Sequence, residues 1–397
     1  MITPYFQMTP LLPRWAEAVP QSNVLRQAKP AKIEWTRHIL ILTWAKSSLV
    51  NRQSKMKNIL SLLLLFICIT VWGEQRISPD HKNIVIEGVL FPEYEVNKVI
   101  LNRHSDQLWN NENVFIARQN ARTQSGARII FKTDSKTVTP LFSDREDAQL
   151  RNITNFYGIY RNGEFMGAVN GMDLTLTSSG DVTEWEIALP IFYGVDFGGI
   201  VLDDHAKMYE VKRSKRPVYV AIGNSITHGA GQARCGSEGS YPYVLAQAKG
   251  YDLYNLAVGG SQITPVIAEE LKGIKVDVMT ILWGFNDWNA TRGNIEEITK
   301  RYSLLLTELR KYQPDAKIYC ILPSTARNEN GNDSKPPLSA VRDAERQLVE
   351  SFQKKGDQKL FIIDGSKISS VDELEGNVHF TNVGALHFGE ALAKLIE

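Results

Sequence analysis

Two rhythms of apolar and polar positions divide the chain. Between about residues 84 and 211, short runs rich in β-branched and aromatic residues alternate with turn residues. Four of these runs, at 83–87, 127–132, 156–160 and 185–189, have the length and composition of strands. Arg161-Asn162-Gly163-Glu164 lies between two such runs and is a hairpin signal, because Asn-Gly suits turns with positive φ. Few segments here have a helical period, so the region reads as an antiparallel β-sandwich of about 130 residues.

The rhythm changes after Lys212-Arg213-Ser214-Lys215-Arg216-Pro217. Apolar runs at 218–222, 251–256, 276–283, 316–322 and 360–363 predict strands, and amphipathic stretches at 241–249, 264–271, 295–312 and 340–354 predict helices between them. A last helix is expected over 382–396, and Pro314 and Gly356 are stop signals. Such alternation implies a parallel sheet covered on both faces. The expected organisation is a sandwich over 74–213 followed by an α/β domain over 214–397.

Upstream, Met56-Lys57-Asn58 leads into an apolar run from Ile59 to Trp72, followed by Gly73-Glu74-Gln75. The short basic start, the length of the run and the small Val71 and Gly73 predict a signal peptide over 56–73. The run is shorter than the roughly 20 apolar residues of a membrane span, with a signal anchor as the other reading. Bulky Phe66-Ile67 before Cys68 does not suit a lipoprotein site. Residues 1–55 fit no leader and are expected to be an upstream extension, with Met56 the real start. The product is then secreted or periplasmic, with no stable membrane span after cleavage.

Composition alters this picture little, at 43% hydrophobic and 22% charged residues in a chain of 397, enough for two cores. Residues 1–73 hold nine Lys/Arg and two Asp/Glu, leaving 36 basic and 42 acidic residues, a net charge of −6. With no basic run in that remainder, nucleic acid is not an expected partner. Only Cys235 and Cys320 follow the leader, so no disulfide framework is expected.

The chemistry concentrates where predicted strands end. The run Val218-Tyr219-Val220-Ala221-Ile222 stops in Gly223-Asn224-Ser225, presenting Ser225 where open α/β sheets place their sites and beside a helix N-terminus. Alone, Ser225 could equally be a helix cap. Three further stretches reach the same sheet edge: Asn255-Leu256-Ala257-Val258-Gly259-Gly260-Ser261, Gly284-Phe285-Asn286-Asp287, and Asn377-Val378-His379-Phe380-Thr381-Asn382. A nucleophile, a base and amide donors in one place form an acyl-transfer constellation. His228 and His387 are rival bases, the first too close behind Ser225 to reach back and the second inside the last helix.

In these four blocks the domain resembles the SGNH or GDSL hydrolase superfamily, with Asn224 where many members have Asp. The resemblance implies a three-layer α/β/α, flavodoxin-like domain and makes Ser225 the nucleophile and His379 the base. Ser225 and Gly260 N–H with the Asn286 amide become the oxyanion hole. No metal or other cofactor is implied. The family's Asp three residues before the His is Gly376 here, so Glu375, Asp372 or a backbone carbonyl is left to orient His379. Order of domains, with the stretch 185–196, also resembles family-two carbohydrate esterases, in which a jelly-roll-like sandwich precedes the SGNH domain.

Polar loops at 324–338 and after Ser225 do not look like a lipid-binding lid. Trp283 and Trp288 flank the Asn286 block and could stack on a sugar, although a core role suits Trp283 better. The leading expectation is an esterase removing acetyl groups from carbohydrate, so the partner is an acylated carbohydrate or another small ester. A lipid acylhydrolase or thioesterase, and a carbohydrate-binding protein with an inactive hydrolase domain, are the alternatives.

Overall fold

The computed structural model describes residues 73–112 and 114–397. The upstream segment 1–55, Cys68 and, apart from Gly73, the expected signal peptide lie outside the described residues. The first half of the described chain is all strands but for a few short helical turns. In order these are β1 (Glu74–Ile77), β2 (Ile84–Glu87), β3 (Phe91–Tyr94), β4 (Val99–Asn102), β5 (Arg128–Thr133) and β6 (Thr137–Asp144). There follow β7 (Phe156–Arg161), β8 (Glu164–Asn170), β9 (Leu176–Thr177), β10 (Thr183–Ala188), β11 (Val195–Asp203) and β12 (Met208–Tyr209).

These strands make two antiparallel sheets, β3-β4-β11-β6-β9 with β1 on β11, and β12-β5-β10-β7-β8 with β2 on β5. Alternate residues of both sheets, among them Ile129, Phe131, Tyr157, Trp185, Phe197 and Ile200, meet in one buried cluster, as a sandwich requires. The β7–β8 turn forms as expected, with φ of 51° at Asn162 and 82° at Gly163. Strand β11 was not legible in the sequence because Gly198 and Gly199 interrupt it, and the pairing with β6 shifts register there. Between β4 and β5 lie two short helices, α1 (Asp106–Asn110) and α2 (Arg118–Ala121).

The second half alternates strands and helices. Five parallel strands, β13 (Val218–Gly223), β14 (Asp252–Asn255), β15 (Val278–Leu282), β16 (Lys317–Leu322) and β17 (Leu360–Asp364), lie in the order β14-β13-β15-β16-β17. That 2-1-3-4-5 order puts the topological switch point between β13 and β15, and ligands bind outside the carboxyl ends of strands there. The helices are α3 (Ser225–His228), α4 (Tyr241–Lys249), α5 (Phe285–Ala290), α6 (Ile295–Tyr312), α7 (Leu338–Lys354) and α8 (Asn382–Leu395). The helix expected over 264–271 is instead a 3-10 helix, Pro265–Leu271, with proline in its first turn. Sandwich and α/β sheet fall in one compact unit.

Candidate active site

Helix α3 starts directly on the end of β13, with Asn224 as its N-cap accepting from Ile226 N. This fixes Ser225 in the first turn, at the switch point. From the other end of the domain, His379 begins a two-residue strand, β19 (His379–Phe380), which pairs with β18 (Leu374–Glu375). Ser225 Oγ and His379 Nε2 are 2.8 Å apart, hydrogen-bond distance between a nucleophile and its base. Burial lowers the His379 pKa, and the positive charge of Arg151 lowers it further, so the imidazole is held neutral and able to accept a proton.

The loop after β14 is fastened at almost every residue. Buried Arg103 donates to the carbonyls of Asn255 and Ala257, the latter at 2.9 Å, and Asn120 Nδ2 donates to Gly259 O at 2.8 Å. Gly259 N donates to His228 Nδ1 at 2.8 Å, and His228 Nε2 is 3.0 Å from Ile191 O. An amide N–H can only donate and a carbonyl can only accept, so these two partners fix His228 as the neutral tautomer protonated on Nε2. Burial, then the Arg103 charge, keeps its pKa well below the usual histidine range.

The fastened loop gives Gly260 a φ of 85°, a left-handed conformation that favours glycine. The Gly260 and Ser225 N–H groups donate to no protein acceptor among the described residues. Asn286, at the start of α5, uses one N–H of its amide on Ser261 O at 2.8 Å, leaving the other N–H. Asp287 beside it is buried, accepts from Ile263 N at 3.0 Å, and is pushed up to about 6 by burial. The structure therefore gathers Ser225, His379, Gly260 and Asn286 at one sheet edge, in the arrangement of a serine acyl-transfer site.

Other expected site residues lie elsewhere. Among the described residues no carboxylate hydrogen-bonds to His379: Glu375 is its cross-strand neighbour but is exposed, and Asp372 lies on an exposed 3-10 turn. At Gly376 φ is 63°, a left-handed turn residue in place of the family's acid. Neither tryptophan offers a free ring face, which corrects the sugar-stacking expectation. Trp283 is 1% exposed, with Nε1 on Ser261 Oγ at 3.1 Å, and Trp288 is 3% exposed, with the Lys335 ammonium 3.1 Å from its ring centroid. Both follow from apolar strand and helix positions turned toward the core. Of the rival bases, His228 is fully buried and His387 pairs with Glu373 at 2.5 Å. The sequence reading missed Arg103, Asn120 and Arg151. Arg103 had a signal in the polar run Asn102-Arg103-His104-Ser105 directly after an apolar strand, whereas Asn120 and Arg151 lie outside that run.

Comparison with known proteins agrees with this geometry. Residues 221–391 match the GDSL-like Lipase/Acylhydrolase family. Among solved structures, salicylyl-acyltransferase SsfX3 from a tetracycline biosynthetic pathway is similar at TM-score 0.69 and 19% identity, covering 81% of this chain and 97% of that one. A Bacteroides ovatus protein described as a GDSL-like lipase gives TM-score 0.66 at 20% identity, with 82% and 97% covered. A family two carbohydrate esterase from Clostridium thermocellum, solved with cellohexaose, gives 0.59 at 15%, with 79% and 98% covered. At these identities the likeness is one of fold. No curated protein matches the sequence. The α/β domain thus matches the GDSL-like Lipase/Acylhydrolase family over residues 221–391, and the chain is an ester hydrolase of the SGNH type.

Proposed function

We propose that the protein is an esterase that removes O-acetyl groups from carbohydrate through a Ser225 acyl-enzyme. The observation that carries the mechanism is the 2.8 Å pairing of Ser225 Oγ with His379 Nε2 beside unengaged N–H donors. His379 takes the Ser225 proton as Oγ attacks the ester carbonyl, and the imidazolium returns it to the leaving alcohol. Water then hydrolyses the acyl-enzyme, with His379 again as base. Ser225 N–H, Gly260 N–H and Asn286 surround the developing oxyanion, each donor being worth roughly 3 kcal/mol in the transition state. His379 works as a dyad base, positioned by its strand rather than by a carboxylate.

Support for an acetylated glycan comes from the polar loop 323–337 beside the site and from the two-domain likeness to family two carbohydrate esterases. The basic-then-apolar segment from Met56 supports export to the periplasm or outside the cell, which N-terminal sequencing of the exported product tests. Hydrolysis of 4-nitrophenyl acetate and octanoate by the purified protein and by Ser225→Ala tests the reaction. Acetate turnover lost in the variant, with unchanged thermal unfolding, is expected. Equal rates in both proteins overturn the serine mechanism, and an octanoate preference overturns the acetyl reading.

A further inference from the structure

The loop between β16 and α7 folds against α5 and the β18–β19 hairpin and leaves an open, solvent-facing cavity of about 350 Å³. Two of its lining residues share short elements with the site, Asn377 two residues before His379 and Asn289 three after Asn286 on α5. This volume lies within the roughly 300–1,000 Å³ of small-molecule sites. Its lining is dominated by carboxamides, Asn289, Asn328, Asn330, Asn332 and Asn377, with Lys335 its one cation among the described residues.

The orientation of three of those carboxamides is fixed by partners that can only donate. Asn289 Oδ1 accepts from Lys335 Nζ at 2.7 Å, Asn332 Oδ1 from Ser334 N at 3.0 Å, and Asn377 Oδ1 from Asn328 N at 2.9 Å. Each oxygen thereby accepts a hydrogen bond, and each NH₂ has no protein acceptor among the described residues. An ammonium has three donors, and Lys335 places one on Asn289 and its charge on the Trp288 ring. No carboxylate lies within ion-pair range of Lys335 among the described residues, and burial alone acts on it, lowering its pKa. The cavity therefore turns three carboxamide NH₂ groups and an ammonium without a carboxylate partner toward whatever fills it, beside the Asn328 and Asn330 carboxamides, and the ammonium is what favours an anion. Neutral sugar hydroxyls need acceptors as well as donors, whereas a carboxylate only accepts.

We infer that this cavity is a saccharide subsite for a uronic acid unit, its carboxylate seated on Lys335 and the carboxamide NH₂ groups of Asn289, Asn332 and Asn377. This rests on the carbohydrate reading above and narrows it to acidic glycans. The acylated sugar lies at Ser225 while a neighbouring uronate occupies the cavity.

Equilibrium binding to the Ser225→Ala protein tests this without turnover, using trigalacturonate, a glucuronic-acid-bearing xylo-oligosaccharide, and xylotriose as the neutral control. At least one uronate probe is expected to bind, at least tenfold tighter than xylotriose, and to weaken as salt rises. Adding Lys335→Gln is expected to weaken that probe roughly tenfold or more, while Lys335→Arg keeps most of the affinity. Asn289→Asp, which hands Lys335 an internal carboxylate, is expected to abolish the preference, with thermal unfolding as the check on folding. Equal binding of xylotriose, unchanged binding in Lys335→Gln, or no binding of either uronate at millimolar concentration overturns the inference. Binding with no esterase activity in the parent protein overturns only the proposed reaction, and activity without binding overturns only the subsite.

Discussion

Ser225 and the glycine loop beside it stand on buried polar anchors, whereas His379 stands on a two-residue strand pair with an exposed neighbour. On the serine side, Arg103, Asn120 and Ile191 reach across from the sandwich half, and His228 ties the Ser225 helix to Gly259. On the histidine side, the hairpin is held by backbone acceptors: Gln232 Nε2 donates to Phe380 O at 2.8 Å and Arg327 Nε to Gly376 O at 2.8 Å. Donors for an oxyanion must be fixed before charge develops, since reorganising them during reaction costs the stabilisation they give. A base has only to sit within hydrogen-bond reach in the right protonation state. The sandwich thus forms the wall to which the glycine loop is fastened.

Changes on the fastened side should therefore cost most. Asn286→Ala removes an oxyanion donor together with the clamp on Ser261 O, and kcat for 4-nitrophenyl acetate is expected to fall about 10²–10³-fold. A loss below tenfold would remove Asn286 from the oxyanion hole. His228→Phe keeps a ring against Phe192 but leaves Gly259 N buried without an acceptor, costing about 1–3 kcal/mol of stability. Because the glycine loop then shifts, kcat should fall by up to about 100-fold with little change in KM. His228→Asn puts an acceptor near the position of Nδ1 and should recover most of that kcat. A purely structural histidine would lose stability in both variants and kcat in neither.

Arg151 carries a smaller effect across the two sides. It comes from the sandwich half, its guanidinium 4.9 Å from the Phe192 ring that stacks on His228, and its charge lowers the His379 pKa. A protonated His379 cannot act as base, so activity is lost as pH falls through its pKa, and a lowered pKa extends activity toward acid. Arg151→Gln raises that pKa, so the acid limb of the kcat/KM profile should move to higher pH. High salt should move the parent limb the same way, by screening an exposed charge. An unmoved limb in both tests would take Arg151 out of the site's electrostatics.

These two sides also differ in how far the chain disclosed them in advance. Strand-ending blocks such as Gly223-Asn224-Ser225 and Gly284-Phe285-Asn286-Asp287 are local, because apolar strand, turn and helix start are contiguous and their chemistry is read in one window. The anchors are not local: Arg103 meets Asn255 across 152 positions, and nothing in the periodicity around either residue announces the other. Trp283 and Trp288 were ambiguous for a related reason, since an aromatic ring at the end of a buried strand has the same sequence signature whether it faces substrate or core. The 323–337 loop was legible as polar, but the orientation of Asn289, Asn332 and Asn377 depends on donors fixed only in the folded chain.

The smallest expected effect is on the histidine side. Were a hidden acid orienting His379, Glu375 and Asp372 would be the places to find it, and removing it would cost orders of magnitude, as loss of a triad acid does. Here Glu375 is exposed, its strand partner His379 already faces Ser225 Oγ, and the left-handed turn at Gly376 replaces the family's acid. An exposed carboxylate contributes at most about 1 kcal/mol to a neighbouring charge. Glu375→Gln and Asp372→Asn, singly and together, should therefore keep kcat/KM for 4-nitrophenyl acetate within about fivefold of the parent. If the double variant instead fell a thousandfold while Asn286→Ala fell tenfold, the roles of the two sides would be reversed. His379 would then need a carboxylate, and the buried anchors would be scaffolding that catalysis does not use.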